Sequence, residues 1–198
     1  MYSFEEAAAL LREQALKQAL ANVPRRTVIE GTRIIRGLYQ GWAPPTGPML
    51  RQKGIDAIIL CAGEWQAPHF ADPLCAAALG WEQGTDPYPG VQIIHAPADD
   101  DFSRPPPEQA IEIATRAAVQ AARILLRGGR VLSSCWMGKN RSGLVTALTL
   151  HGLTGLSGAH VLAHIRKVRP QALSNPQFRA AIMKIRATQP LQLPGVSA

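Results

Sequence analysis

Cysteine is scarce in this sequence. The 198 residues contain three cysteines, Cys61, Cys75 and Cys135. Because they are odd in number and widely spaced, they indicate neither a disulfide framework nor a zinc cluster. The acidic amino terminus lacks the pattern of an export signal, and no uninterrupted apolar run is long enough to span a membrane. These absences predict a soluble, cytoplasmic protein in a reducing compartment, without membrane insertion.

Charged residues are few, but their balance is basic. They make up 18% of the chain against 46% for hydrophobic residues, and the formal net charge is +7. The composition is typical of a globular protein, and the length suits one well-buried core, so we expect a single domain. The positive charge favours an acidic partner or substrate, and it leaves phosphate, nucleic acid and anionic lipid all open.

Short apolar runs alternate with helical patterns along the chain. The predicted strands span 27–29, 33–39, 55–61, 91–96 and 130–134, and the predicted helices span 4–21, 70–79, 105–127, 142–152, 157–168 and 175–187, with a further short helix that ends at Gly54. This alternation predicts an α/β fold with a largely parallel central sheet covered by helices on both faces. Sheets of this kind bind ligands at the carboxyl ends of their strands.

The stretch VLSSCWMGKNRSGLV, residues 131–145, places Cys135 and Arg141 between two apolar runs. It joins a predicted strand end to a helix start, where unpaired backbone N–H groups and the helix dipole favour an anion. The five residues between the cysteine and the arginine are enough to curl a loop whose amides form an anion nest, and Gly138 is free to take the backbone angles of such a curl. A phosphate in the nest would meet the arginine fork and have the sulfur beneath it.

A thiol in this loop should lose its proton easily, because helix N-termini and neighbouring cations favour the thiolate. A thiolate beneath a cradled phosphate implies nucleophilic attack on phosphorus. The attack needs an acid for the leaving group, and Asp99, Asp100 and Asp101 follow the preceding predicted strand. Spacing alone leaves open which of the three points inward. Ser142 could donate a hydrogen bond to the sulfur and make it a better leaving group in a second step.

The order Cys135, five residues, Arg141, Ser142, Gly143 resembles the signature of the cysteine-dependent protein tyrosine phosphatases, and most closely their dual-specificity branch. The stretches RGLYQGWAPP at 36–45, IDAIILCAGE at 55–64 and IRKVRPQALSNPQF at 165–178 agree with that branch. The resemblance implies one phosphatase domain over 1–198, with a helical extension at 1–22 and a catalytic core at 33–187. The implied fold is a three-layer α/β/α arrangement with a mostly parallel sheet of about five strands.

The implied activity is metal-independent hydrolysis of phosphomonoesters, without a cofactor, through a phosphocysteine intermediate at Cys135. In this family the general acid follows an apolar-Pro-x-x pattern. The residues APADD at 96–100 match the pattern, which selects Asp100, with Asp101 as the alternative. Arg141 and the amides of 136–141 would hold the phosphoryl group. The predicted phosphate-binding residues are Trp136, Met137, Gly138, Lys139, Asn140 and Arg141.

One residue departs from the family pattern. Ser134 stands where the family usually has histidine, which helps to fix the loop. We therefore expect a thiolate that is less stabilised than usual. The departure also makes a phosphate-binding pseudophosphatase conceivable, although Cys135, Arg141 and Asp100 are all present.

The substrate stays open within the enzyme class. A phosphorylated protein is expected, with phosphotyrosine favoured by a deep pocket and phosphoserine or phosphothreonine admitted by a shallow one. Gly138-x-Asn140-Arg141 resembles RNA 5′-triphosphatases of the same fold, so nucleic acid is a partner only as triphosphate RNA. LCAGE around Cys61 is similar to phosphoinositide phosphatases, whose equivalent cysteine pairs with the nucleophile under oxidation. A Cys61–Cys135 disulfide is thus one hypothesis, but a buried apolar role for Cys61 is favoured.

Other chemically suggestive residues have ordinary explanations. His160 and His164 have metal-ligand spacing, but Val161 stands where a catalytic glutamate would be and no third ligand is evident, so we predict surface histidines and no metal site. The basic residues near the carboxyl terminus are predicted to form solvated helix faces. These residues are Arg166, Lys167, Arg169, Arg179, Lys184 and Arg186. The tryptophans at 42, 65, 81 and 136 are predicted to lie in the core or the pocket wall, with Trp136 bordering the entrance.

Overall fold

The computed structural model describes residues 31–42, 47–62 and 88–192. The strands are β1 Gly31–Ile35, β2 Leu38–Gly41, β3 Ala57–Leu60, β4 Gln92–His95 and β5 Val131–Ser134. The helices are α1 Gly47–Gln52, α2 Glu108–Leu126, α3 Arg141–Thr154, α4 Gly158–Val168 and α5 Pro176–Met183. The helices predicted at 4–21 and 70–79 and the strand predicted at 27–29 lie outside the described residues.

The strands form one mixed sheet in the order β1-β2-β5-β3-β4. Strands β2, β5, β3 and β4 are parallel, and β1 pairs antiparallel with β2. The predicted fold class, a mostly parallel sheet of about five strands with helices, is therefore confirmed. Strand β5 lies in the middle of the sheet, so the loop that follows its carboxyl end sits at the centre of the edge where parallel sheets bind ligands.

Both faces of the sheet are buried, as the interior strand β3 illustrates. Its side chains alternate, so that Ala57 and Ile59 join one apolar core while Ile58 and Leu60 join the other. The first core also contains residues from α2 to α5, and the second contains Leu50 of α1. Each buried isoleucine or leucine contributes about 1.5–3 kcal/mol relative to an exposed one. This two-sided burial explains why the sequence of β3 is an unbroken apolar run.

Helices α2 and α3 pack against each other and against the sheet. The buried positions of α2 are all alanines: Ala114, Ala117, Ala118, Ala121 and Ala122. Small side chains at these positions allow α2 to pack closely against its neighbours. None of the helices within the described residues is long and apolar enough to cross a membrane.

Two predicted boundaries were wrong. The strand predicted at 33–39 is a hairpin, because the chain reverses at Gly37, whose φ is +79°. The helix predicted to end at 187 ends at Met183. The chain beyond it turns back, where the Ile185 carbonyl accepts from the Gly158 N–H and the Thr188 N–H donates to the Gly155 carbonyl. These long-range hydrogen bonds replace the last helical turn that the sequence pattern predicts.

Candidate active site

The loop 135–141 connects β5 to α3 and is fixed at its start to the neighbouring strand β2. The Cys135 N–H donates to the Gly41 carbonyl at 3.3 Å, and the Ser134 hydroxyl donates to the Trp42 carbonyl at 2.6 Å. Ser134, which stands where the family pattern has histidine, therefore links the start of the loop to the residue that follows β2. These contacts begin the loop at the carboxyl edge of the sheet, as the sequence predicts.

Gly138 occupies a position in the loop that other residues would not fit. Its φ is +62°, in the left-handed region that favours glycine. A Cβ at this position would lie 2.4 Å from the carbonyl carbon of Gly41 and 2.6 Å from the Trp42 nitrogen. Because these neighbours are backbone atoms, they cannot move aside without moving the strand end.

We expect Gly138→Ala to disrupt the loop. Gly128→Ala is a matched control, because Gly128 has a φ of +84° and no described atom lies within 4 Å of its Cβ position. The control should lose about 1–2 kcal/mol of unfolding free energy from backbone strain alone. Gly138→Ala should lose more, and it should also lose binding of orthovanadate, measured by calorimetric titration. Equal effects of the two variants on vanadate binding would contradict this assignment.

The sulfur of Cys135 lies at the base of the loop beside the start of α3. Cys135 is buried, and its Sγ lies 3.2 Å from the Ser142 Oγ. Arg141 is the first residue of α3 and is 8% exposed. The structure thus brings the cysteine, the arginine and the serine to one helix N-terminus, which is the arrangement that the sequence spacing predicts. Their catalytic roles remain predictions.

Three backbone carbonyls of the loop, those of Gly138, Lys139 and Asn140, accept hydrogen bonds from residues outside the loop. The Gly138 carbonyl accepts from Gln40 Nε2 at 3.0 Å and from Arg169 Nε at 2.8 Å. The Lys139 carbonyl accepts from the same Gln40 nitrogen at 3.2 Å and from the Leu173 N–H at 3.0 Å. The Asn140 carbonyl accepts from the Leu144 N–H. The second half of the loop is therefore fixed in orientation.

The three consecutive aspartates have different surroundings. Asp100 Oδ2 accepts from Asn140 Nδ2 at 3.1 Å, so its carboxylate contacts the loop directly. Asp99 is exposed. Asp101 accepts from Ser103 and from Arg104 instead. These hydrogen bonds, those of Ser103 first, hold the pKa of Asp101 well below its usual range. Of the three aspartates, Asp100 is the one with a described hydrogen bond to the loop 135–141, and its role as the acid stays a prediction.

Asn175 connects residues 99–104, named here the acid turn, to α5 and to the loop. It caps α5, because its Oδ1 accepts from the Gln177 N–H at 2.8 Å. Its Nδ2 also donates to Asp100 Oδ1 at 2.9 Å, and its backbone N–H donates to Asn140 Oδ1 at 2.9 Å. Both carboxylate oxygens of Asp100 thus accept from asparagine side chains. The contacts of Asn175 with Asp100 and Asn140 were not predicted from the sequence.

Arg169 was predicted to lie on a solvated helix face, and this prediction was wrong. The residue is half-buried; its Nε donates to the Gly138 carbonyl and its Nη1 donates to Thr32 Oγ1 at 2.7 Å. Burial lowers the pKa of Arg169, and the charge of Cys135 acts in the opposite direction. The only sequence feature that could have indicated this role is its place within the family-like stretch 165–178.

The predicted histidines and tryptophans lie partly where the sequence analysis expected them. His164 is half-buried, and its Nε2 lies 3.0 Å from the Ile34 carbonyl, whereas His160 is exposed as predicted. Trp42 and Trp136 are nearly half-exposed, which excludes the core; their predicted place in the pocket wall, with Trp136 at the entrance, stays a prediction. Trp65 and Trp81 lie outside the described residues. Within the described ranges, no cluster of three potential metal ligands is present.

Cys61 lies next to β5, the strand that precedes the loop 135–141. Its N–H donates to the Ser134 carbonyl at 2.9 Å, and its side chain is fully buried. Burial, with a smaller contribution from the charge of Cys135, raises the pKa of Cys61 far above its usual range. Cys61 and Cys135 are both free thiols in this structure. A buried, protonated Cys61 fits the apolar role that the sequence analysis favoured.

We expect brief treatment with hydrogen peroxide to oxidise Cys135 and to leave Cys61 as a free thiol. A neutral thiol attacks a sulfenic acid slowly, because the thiolate is the nucleophile. Peptide mapping by mass spectrometry should therefore find sulfenic or sulfinic acid at Cys135. A Cys61–Cys135 linked peptide as the main product would instead support the disulfide hypothesis.

Comparison with solved structures identifies the fold as that of the dual-specificity phosphatases, within the cysteine-dependent protein tyrosine phosphatase fold. Human DUSP28 is 20% identical, with 81% of this chain and 95% of that chain covered and a TM-score of 0.58. DUSP15 is 21% identical, with 78% and 85% covered and a TM-score of 0.58. Human tyrosine phosphatase-like serine/threonine/tyrosine-interacting protein is 18% identical, with 79% and 95% covered and a TM-score of 0.60. No family model and no curated protein gives a sequence match. The likeness therefore establishes the fold.

Proposed function

We propose that this protein is a cysteine-dependent phosphatase that hydrolyses phosphomonoesters without a metal, through a phosphocysteine at Cys135. The observation that carries the proposal is the hydrogen bond between Asp100 and Asn140, because it joins a carboxyl group to the loop that holds the nucleophile. The short distance between Cys135 and Ser142 and the position of Arg141 at the start of α3 add support.

In the first step of the proposed reaction, the Cys135 thiolate attacks phosphorus and the bond to the leaving oxygen breaks. Asp100 donates its proton to that oxygen. Arg141 and the loop amides hold the three equatorial oxygens of the transferring group, and donors of this kind each contribute roughly 10²–10³-fold in rate. In the second step Asp100 accepts a proton from water, which attacks phosphorus. The sulfur leaves as a thiolate that the Ser142 hydroxyl stabilises by donating a hydrogen bond.

The surface around the loop favours a substrate with an aromatic or apolar group next to its phosphate. Trp42, Phe102, Trp136 and Met137 are each between 46% and 54% exposed. All four lie near the site along the chain: Trp42 follows β2 beside the loop, Trp136 and Met137 belong to the loop, and Phe102 belongs to the acid turn. Aromatic side chains bind flat rings well. Phosphotyrosine is therefore the favoured substrate group.

A polyanionic substrate fits this surface less well. Phosphoinositides and triphosphate RNA need several cations at the entrance. Outside Arg141, the basic residues of the loop and of the acid turn 99–104 are Lys139 and Arg104. The guanidinium of Arg104 is already paired with Asp101 at 2.8 Å. Of these two residues, Lys139 is therefore the one left to serve additional phosphates.

The direct test is turnover by the wild-type protein in EDTA and reductant, with p-nitrophenyl phosphate, a phosphotyrosine peptide, a phosphoserine peptide, a soluble phosphoinositide and triphosphate RNA. We expect phosphate release, with the two aryl phosphates hydrolysed fastest. Vanadate binding without turnover on any substrate would indicate the pseudophosphatase, which the replacement of histidine by Ser134 makes the second candidate. A protein that neither binds vanadate nor turns over would exclude both.

A further inference from the structure

Gln40 and Arg169 meet at the same carbonyl group, that of Gly138, from two different elements. Gln40 belongs to β2 and Arg169 follows α4. From this arrangement we infer that Gln40 and Arg169 are positioning residues, which fix the loop 135–141 in its anion-binding form before any substrate arrives. The inference rests on the proposed function and names two residues that support its phosphate site.

Peptide geometry links the direction of each loop carbonyl to that of the next amide. In a planar trans peptide the carbonyl of one residue and the N–H of the next point in opposite directions. Donors from β2, from the end of α4 and from Leu173 hold the carbonyls of Gly138 and Lys139 on the outside of the loop. The N–H groups of Lys139 and Asn140 must then point to the inside. Fixing the carbonyls thus aims two amides at the place where a phosphate would sit.

Gln40 is an unexpected residue for its position. It is fully buried, and it lies two residues from Leu38, which is part of the apolar core on the same face of β2. Its Nε2 serves two loop carbonyls, while its Oε1 has no hydrogen-bond partner among the described residues. A buried polar atom without a partner lowers stability. An apolar residue would fill this place at less cost, so the amide is best explained by what its nitrogen holds.

Arg169 adds a positive charge to the hydrogen bond that it makes. Its guanidinium is fixed at two points, the Gly138 carbonyl and Thr32 Oγ1, and it is half-buried. The guanidinium and a Cys135 thiolate attract each other, which is the source of the upward contribution to the pKa of Arg169. In this chain the position before the cysteine is Ser134, which carries no charge. Arg169 therefore supplies a fixed cation to a loop that lacks the usual histidine.

The test uses variants of the full chain and two measurements that need no turnover. Gln40→Leu removes the amide and fits the apolar core. Arg169→Met removes the charge and both hydrogen bonds, and Arg169→Lys restores the charge alone. Arg166→Met is the matched control, because Arg166 is an exposed residue of α4. Orthovanadate affinity is measured by calorimetric titration, the rate of Cys135 alkylation by iodoacetamide at pH 7 by mass spectrometry, and folding by thermal unfolding.

We expect Gln40→Leu to weaken vanadate binding at least about tenfold, with a midpoint of unfolding that is unchanged or higher, since the orphaned oxygen is removed. Arg169→Met should weaken vanadate binding and slow alkylation of Cys135 several-fold. Arg169→Lys should recover the alkylation rate but not the affinity, because one ammonium group cannot reproduce the two-point contact. Arg166→Met should match the wild type in each measurement.

Specific results would overturn the inference. Folded Gln40→Leu and Arg169→Met proteins with wild-type vanadate affinity would show that the loop keeps its form without them. A loss of affinity that only follows a loss of stability would reduce both residues to a structural role. Vanadate binding by the wild type without turnover would remove the proposed phosphatase activity and leave the positioning result intact. A wild type that binds no vanadate would remove both.

Discussion

Cys135→Ser should retain vanadate binding and lose turnover of p-nitrophenyl phosphate, by a factor on the order of 10³–10⁶. The hydroxyl of serine stays protonated where a thiol ionises, and it is the anion that attacks phosphorus. Serine is close in size to cysteine, and the side chain at this position is buried beside Ser142. The loop should therefore keep its shape while the nucleophile is lost.

Cys61→Ala is the matched control for this variant. Cys61 is also a buried free thiol beside the same strand, but its side chain takes no part in the proposed reaction. Its replacement should leave kcat within a few-fold of the wild type. If Cys135→Ser kept a tenth or more of the wild-type turnover in EDTA, the phosphocysteine mechanism would be wrong and a different nucleophile would have to be sought.

Asp100→Asn should slow turnover by roughly 10²–10⁴-fold for a substrate whose leaving group needs a proton. Phenyl phosphate is such a substrate, because phenolate is a poor leaving group. p-Nitrophenyl phosphate should be affected much less, since its leaving group departs readily without a proton. The measurement is kcat for both substrates in the same variant. A larger effect on the poorer leaving group is the property that distinguishes an acid from a residue that only shapes the site.

The neighbouring aspartates provide the controls. Asp99 is exposed, so Asp99→Asn should change kcat little for either substrate. Asp101→Asn breaks the contact with Arg104 but removes no proton donor, because the pKa of Asp101 lies well below its usual range. Its effect should be small and the same for both leaving groups. Equal losses in Asp99→Asn and Asp100→Asn would show that Asp100 is not the acid.

The parts of the fold that the sequence predicts well are those set by local pattern. The runs predicted at 55–61, 91–96 and 130–134 contain β3, β4 and β5, and each strand end lies within two residues of its prediction. An unbroken apolar run of this length that is bounded by turns is typical of a buried strand. The spacing of Cys135 and Arg141 likewise needs only one turn and the start of one helix. Local chemistry is sufficient for these features.

The remainder of the site depends on contacts between distant parts of the chain. Gln40 and Gly138 are 98 positions apart, and Asn140 and Asp100 are 40 apart. Spacing along the sequence cannot state which aspartate will face the loop, because three consecutive residues of an irregular turn have no fixed periodicity. Arg169 was misread for a related reason. A basic residue at a helix end is solvated by default, and only the position of the loop carbonyl shows that it has a partner.

The contacts among Asp100, Asn140 and Asn175 also restrict how this chain can vary in evolution. Asn140 donates to Asp100 and accepts from the backbone of Asn175, and Asn175 donates to the same carboxylate. A shorter side chain at 140, such as serine, would not span both partners, and it would remain acceptable only if the residue at 175 or its backbone changed as well. Among descendants of this sequence, positions 100, 140 and 175 should therefore be inherited and replaced as a group.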